Sequence, residues 1–388
     1  MECIIYRYHS IYEPFVIETF KKFGIHVIEI DLSGSDNSSF DKISNVLVDK
    51  IDSGSPVSFV FSINFFPNIS ELCEVLNTLY LCWSVDSPVT ELFSKSICNS
   101  HNRLFLFDKD QFNRFSKYNP NNIFHLPLAT DPIYWGNVLN SINDEDRRRF
   151  SCDISFVGSL YTEKNPVNDL IFDEYTQGFV NGLIDSQLLI FGKYFLEDAL
   201  TDKITKYIAP SLKINPDDVV ESFEKYYVAN SLLGYHITEK ERIQTLSALS
   251  NHFNVSLFTE SPSTSLPKVK NCGRASTLTE MPKIFNLSKI NLNITMRSIS
   301  SGIPLRVFDI LGCHGFLISN YQEELLDYFE PGKDLEIYSS TEELLDKCEY
   351  YLSNESARNS IASSGYEKIT KYHTMETRMS QMISMIVN

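Results

Sequence analysis

Short apolar runs alternate with amphipathic segments from the start of the chain. CIIYRY (3–8), HVIEIDL (26–32), SFVFSI (58–63), LYLCWSV (79–85) and RLFLFD (103–108) read as strands. The last three are apolar almost throughout, which marks strands covered by helices on both faces of a parallel sheet. Between the first two, EPFVIETFKKFG (13–24) sets Phe15, Thr19, Phe20 and Phe23 at helical spacing and stops at Gly24. FDKISNVLVDKI (40–51) is helical in the same way. This alternation predicts a doubly wound α/β unit over residues 1–130.

Pro127 and Pro132 break the rhythm, and the polar SINDEDRRRF follows, so residues 131–150 read as a crossover, with Arg147, Arg148 and Arg149 as solvated linker charges. DISFVGS (153–159) opens a second unit. Helical periodicity then fills an insertion over about 162–235 and the segment EKERIQTLSALSNHF. Alternation returns with VSLFT (255–259), TEMPKIFNLSK (279–289), INLNI (290–294), PLRVFDILGC (304–313), FLISN (316–320) and LEIY (335–338). The tail predicts two helices interrupted near Tyr372, His373 and Thr374. A length of 388 residues suits two domains rather than one core. The expected fold class is α/β: two Rossmann-like domains facing a central cleft, the second (151–372) carrying the helical insertion. Ligands of such sheets bind at the carboxyl ends of the strands.

Charge narrows the partners. Lys and Arg number 34 against 50 Asp and Glu, a net charge of −16, which argues against a nucleic-acid or anionic-membrane protein and leaves room for one local basic pocket. The N-terminus lacks a basic stretch followed by a long apolar one, and no apolar run approaches the ~18 residues of a membrane span, so the expectation is a cytoplasmic protein without a transmembrane segment. Eight Cys with no C-x-x-C pair exclude a zinc ribbon and read as free thiols in a reducing compartment. The N-x-S/T triplets at Asn68 and Asn293 then read as ordinary loop residues.

The chemically informative stretch is KINLNITMRSISSGIPLRVFDILGC (289–313). A strand runs into a polar loop, Thr295 to Gly302, and a helix follows with Pro304 in its first turn. Such a loop offers backbone N–H groups and the positive end of a helix dipole to an anion. Arg306 and Asp309 lie three apart on one helix face, suiting a phosphate and a ribose diol respectively. The plainer reading is a solvated i,i+3 ion pair worth a few tenths of a kcal/mol. Asp108 and Asp110 form a D-x-D, but at a helix start they read as cap and first-turn residues, and no metal site is predicted.

GIPLRVFDILGCHGFLISN, EELLDYFEPGKDLEIY and ESARNSIASSGYEKITKYHT together resemble the C-terminal domain of GT-B-fold glycosyltransferases of the spore-maturation (CgeB-like) branch. FSINFFPNISELC (61–73), WSVDSP (83–88), LFLFDKDQ (104–111) and HLPLATDP (125–132) resemble the N-terminal domain of that branch. The likeness covers most of the chain outside roughly 162–235. It implies transfer of a sugar from a nucleotide-diphosphate donor, with a UDP-sugar expected, to a hydroxyl acceptor on a protein or glycan, in a bacterial setting and with no further cofactor. It also implies that residues 373–388 return to the N-terminal domain. The paired acids eight apart that such enzymes often carry would fall at Ser301 and Asp309, so the first acid is missing. By the same resemblance Gly158 and Ser159 approach donor or acceptor, and Arg297, Ser300 and Gly302 line a phosphate loop. Asn320 and Tyr321 border the pocket, and Ser276 and Thr277 cap the base. The general base is expected from the N-terminal domain: Asp86 after LYLCWSV, then His9 at the end of the first strand, with Asn64 positioning the acceptor. Two rival classes stay open, an inactive nucleotide-sugar or protein-binding module and a nucleotide-sugar epimerase or phosphorylase on the same fold.

Overall fold

The computed structural model describes residues 1–31, 38–210 and 212–387. Leu32, the expected end of the second strand, and Asn388 lie outside the described residues, as does the side chain of Phe40. The chain forms two compact units: residues 1–129 with 213–223 and 375–388, and residues 130–212 with 224–374.

The first unit is built on a six-stranded parallel sheet of β1 (Glu2–Arg7), β2 (His26–Asp31), β3 (Phe59–Ile63), β4 (Leu79–Ser84), β5 (Asn102–Leu106) and β6 (Ile123–His125), in the order β2-β1-β3-β4-β5-β6. Every described residue of β3 is buried, as its unbroken apolar run requires. Helix Met375–Val387 belongs to this unit and is pinned by Arg378, which is 4% exposed and donates from Nε to the carbonyls of Pro127 (3.0 Å) and Leu128 (3.3 Å). The segment 213–223 also belongs here, although its place in the sequence put it with the second domain. Its Glu221 accepts from Arg114 (2.7 Å), Lys117 (3.2 Å) and Tyr118 (2.5 Å), and Phe223 lies against Phe93 with ring centroids 4.8 Å apart.

The second unit carries another six-stranded parallel sheet: β7 (Cys152–Val157), β8 (Val255–Phe258), β9 (Lys270–Asn271), β10 (Ser288–Asn293), β11 (Leu317–Asn320) and β12 (Glu336–Tyr338), ordered β12-β11-β10-β7-β8-β9. The expected polar crossover is in fact helical. Asn143 caps helix Asp144–Phe150 with a full capping box, acids fill its first turn and the three arginines its last, matching the helix dipole at both ends. The insertion has its own apolar core, including Val180, Ile184, Leu196, Ile204, Val228 and Ile237. A π-helical stretch, Tyr227–Leu233, leads from it into helix Gly234–Ser250.

Candidate functional site

The loops that leave the carboxyl ends of β7, β10 and β11 carry most of the polar residues singled out in the sequence. The loop after β10 is gripped from the segment after β11 by side chains at alternate positions. Asn320 clasps the backbone of Thr295, accepting from its N–H (2.8 Å) and donating to its carbonyl (3.0 Å). Gln322 donates to the Ile299 carbonyl (2.7 Å), and Glu324 accepts from the Ser301 hydroxyl (2.8 Å). Asn320 and Glu324 are each 1% exposed. Asn320 is therefore a backbone clasp and not a pocket-lining residue. A carboxylate does stand beside Ser301, where the paired-acid pattern lacks one, and it comes from Glu324 further along the chain. Ser300 is half-buried and Gly302 buried within the same loop. Pro304 is the cap residue of helix Leu305–Gly312 and precedes its first turn.

Arg297 does not face a phosphate. Its guanidinium makes a bidentate pair with Glu241, Nε to Oε2 at 2.9 Å and Nη2 to Oε1 at 2.7 Å, and Nη1 donates to the Ile190 carbonyl (2.9 Å). Both side chains of the pair are 6% exposed, so the guanidinium is committed inside the protein.

Asp309 also departs from expectation. Its residue is 5% exposed, and Oδ1 accepts from Thr130 Oγ1 at 2.7 Å, while the Trp135 indole N–H donates to the same hydroxyl at 2.6 Å. Burial drives the carboxyl up to about 6, and the hydrogen bonds from Thr130 and Trp135 and the charge of Arg306 offset only part of that rise. A carboxylate held inward in this way anchors its helix to Thr130 and is not presented to a ribose.

Two further guanidiniums stand at these strand ends, Arg306 and a residue the sequence did not single out, Arg242. Arg242 projects from helix Gly234–Ser250 between two strand ends, donating from Nη1 to the Ser159 carbonyl (2.5 Å) and from Nη2 to the Ile294 carbonyl (2.8 Å). It lies over the rings of Phe156 (5.2 Å) and Tyr161 (4.9 Å), and its buried Nε finds no acceptor among the described residues. Arg306 is half-buried, sits over the Phe285 ring at 5.4 Å and points Nη1 at the Met281 sulfur, 3.2 Å away. Burial pushes Arg306 below its ordinary range; the Asp309 charge opposes that and the Arg242 charge adds to it. Both guanidiniums bond chiefly to carbonyls, sulfur and rings. Such an arrangement attracts an anion with several oxygens.

Gly158 and Ser159 do form the turn after β7: the Gly158 N–H donates to the Phe258 carbonyl (3.1 Å), and the Ser159 hydroxyl donates to Glu163 (2.8 Å). Tyr321 donates its N–H to the Tyr338 carbonyl (2.9 Å). Ser276 and Thr277 lie in the turn before helix Met281–Leu287, where the Ser276 N–H donates to Glu280 (2.8 Å).

In the first unit, Tyr8, Asn64 and Asp86 lie just beyond the carboxyl ends of the neighbouring strands β1, β3 and β4. Asn64 Nδ2 donates to Asp86 Oδ2 (2.6 Å) and to the Tyr8 hydroxyl (2.9 Å), and its Oδ1 accepts from the Val85 N–H (2.9 Å). Burial, with the Asp86 charge adding to it, pushes the Tyr8 hydroxyl up to about 12. Asp86 is exposed and aimed by this clasp. His9, also exposed, pairs with Asp31 at 3.1 Å. Asp108 caps helix Lys109–Phe115 by accepting from the Asp110 N–H (3.1 Å) and from the Ser87 hydroxyl (2.7 Å), as a cap residue should. Among the described residues no group of three or more His, Cys, Asp or Glu could hold a metal ion, and no helix is long and apolar enough to cross a membrane.

Residues 240–384 match the family model described as "Glycosyl transferase-like". No curated protein sequence matches the chain. Solved structures do match over its whole length. A glycosyltransferase from Rickettsia africae ESF-5 is 10% identical with a TM-score of 0.53, covering 100% of this chain and 99% of that one. Anabaena Alr3699/HepE in complex with UDP and glucose is 8% identical with a TM-score of 0.54 and the same coverage. An α,α-trehalose-phosphate synthase (UDP-forming) from Burkholderia vietnamiensis is 8% identical with a TM-score of 0.54, covering 99% of this chain and 96% of that one. At these identities the likeness is one of architecture: two parallel six-stranded sheets clothed in helices, the GT-B fold of glycosyltransferases.

Proposed function

We propose that the chain is a glycosyltransferase moving a sugar from a nucleotide-diphosphate donor, a UDP-sugar foremost, to a hydroxyl of a protein or glycan acceptor. The observation that carries this is Arg242, a guanidinium held between the ends of β7 and β10 by the Ser159 and Ile294 carbonyls (2.5 and 2.8 Å) beside the loop that leads to Arg306, in a chain of net −16. The family match over residues 240–384 includes both arginines, and the UDP, glucose and UDP-forming chemistry of the structural neighbours supports the same donor class. The sequence motifs further support the spore-maturation branch, a cytoplasmic setting and a donor diphosphate neutralised by guanidinium and N–H groups without a metal.

In this reading Arg306 and Arg242 take up the charge that develops on the leaving diphosphate, the electrostatic part of catalysis. Asp86, aimed by Asn64, accepts the proton of the acceptor hydroxyl as it attacks the anomeric carbon. His9 is the alternative base, with its Asp31 partner to orient it.

Calorimetry against UDP, GDP and TDP tests the donor assignment, and binding of none of them would favour the inactive-module reading. Arg306→Ala is expected to weaken UDP binding by about 10- to 100-fold, or about 1.4–2.7 kcal/mol, while uridine binding stays the same. Equal loss for both ligands would remove the phosphate role. Asp86→Asn is expected to lower turnover by about 10²- to 10⁴-fold with the donor dissociation constant retained. Full activity in that variant would move the base elsewhere, with His9→Gln the next variant to assay.

A further inference from the structure

The helical insertion sends one short segment, Leu189–Phe195, onto the loop that follows β10. Gln187, fully buried, shapes the segment from within: Nε2 donates to the Lys193 carbonyl (2.8 Å) and Oε1 accepts from the Phe195 N–H (3.0 Å). The segment then meets the loop at two adjoining points. Arg297 stacks on the Phe191 ring, 3.6 Å from its centroid, and donates to the Ile190 carbonyl at 2.9 Å. Next to it Gly192, at φ +74°, lets the Tyr321 ring lie so close that an added Cβ would sit 2.6 Å from Cε1. Tyr321 itself follows β11, in the stretch whose Asn320, Gln322 and Glu324 grip the same loop. Behind Arg297, Glu241 neutralises its charge, and Glu241 is the chain neighbour of Arg242.

We infer that the Leu189–Phe195 segment is a strap that holds the loop after β10 in its donor-binding shape, with Arg297 as a positioning residue acting through Phe191. The inference rests on the donor reading above and gives the insertion a part in it. A loop must present its N–H groups in a fixed array to be worth anything to a diphosphate, and a misplacement of about 1 Å is costly. A stacked guanidinium with a bidentate carboxylate fixes orientation better than apolar contact does, because each bond has a direction. The strap comes from the insertion, which lies outside the residues that carry the sequence resemblance.

The test has two readouts on the full-length protein. Amide hydrogen exchange without ligand is expected to quicken at least tenfold across residues 295–303 in Phe191→Ala, with the Phe191→Tyr variant restoring protection. UDP binding by calorimetry is expected to weaken about tenfold in Phe191→Ala, uridine binding to remain, and Phe191→Tyr again to restore the wild-type value. Gly192→Ala, which pushes the strap off Tyr321 without touching Arg297, should reproduce both effects should Phe191→Ala fail to fold. Unchanged exchange in the loop of Phe191→Ala and Gly192→Ala overturns the strap, whatever nucleotides do. Quickened exchange with unchanged UDP affinity also overturns it, since the loop would then be held for no donor. If wild-type protein binds none of UDP, GDP and TDP while the exchange effect is present, the donor reading fails and takes the positioning role with it.

Discussion

Glu241→Ala is expected to destabilise the second unit by about 3–5 kcal/mol, because it strands the Arg297 guanidinium inside the protein. Both partners are 6% exposed, so water cannot replace the lost carboxylate. The Ile190 carbonyl and the Phe191 ring would remain as partners, and neither carries a compensating charge. The sharper expectation concerns the double variant Glu241→Leu with Arg297→Met. Removing both charges also removes the cost of burying them, and well-packed apolar replacements of buried pairs are often neutral or stabilising. Denaturant unfolding should therefore show a large loss in the single variant and recovery of most of it in the double one. A double variant as unstable as the single would mean that the pair is needed for more than its own charge balance. Stability recovered with weakened UDP binding is what the strap requires.

Asp309→Asn is expected to stabilise the protein near neutral pH, the reverse of what a ribose ligand would lead one to look for. The carboxyl titrates at about 6 in the folded chain against 3.8 for the unfolded reference. Below about pH 3 both states hold the proton and nothing is lost. Between pH 4 and 6 the unfolded chain releases its proton while the folded chain keeps it, so stability falls as pH rises. Above pH 6 the whole cost is present, about 3 kcal/mol for a shift of roughly two units. Asn keeps an oxygen to accept from Thr130 and never charges, so its advantage should be full at pH 7.5, about half as large at pH 5, and gone near pH 3. Urea unfolding followed at those three pH values measures it. An advantage independent of pH would show that packing, and not titration, distinguishes the two side chains.

The fold was legible because parallel strands buried on both faces leave unbroken apolar runs, as in SFVFSI and LYLCWSV, and helices between them leave a 3.6 period. Elements without either signal were missed. Lys270–Asn271 is a two-residue exposed edge strand, and Ile123–His125 is a three-residue one hidden before Pro127. The segment 213–223, polar and acidic, gives no hint of its unit, since the contacts of Glu221 lie more than a hundred residues upstream. The site divides in the same way. Spacing located Arg306 and Asp309, and the family resemblance Arg297, but where each side chain points is decided by distant partners. Thr130, 179 residues away in sequence, turns Asp309 inward, and Glu241, 56 residues away, takes Arg297. Arg242 sits in EKERIQ, which reads as the wet face of a helix, and only the loops that fold over it make it an interior cation.

The chain passes from one unit to the other at four peptide bonds, after residues 129, 212, 223 and 374. Neither unit is therefore a continuous stretch of sequence, and neither can be cut out by choosing two ends. A fragment stopping at residue 129 would lack the Glu221 arm and the Arg378 helix, leaving bare the apolar surfaces they cover. All six strands of the first sheet are made by residue 125, yet the helix Met375–Val387 that packs with their unit comes some 250 residues later in the chain, so a nascent first unit must wait, uncovered on that side, while the whole second unit is synthesised.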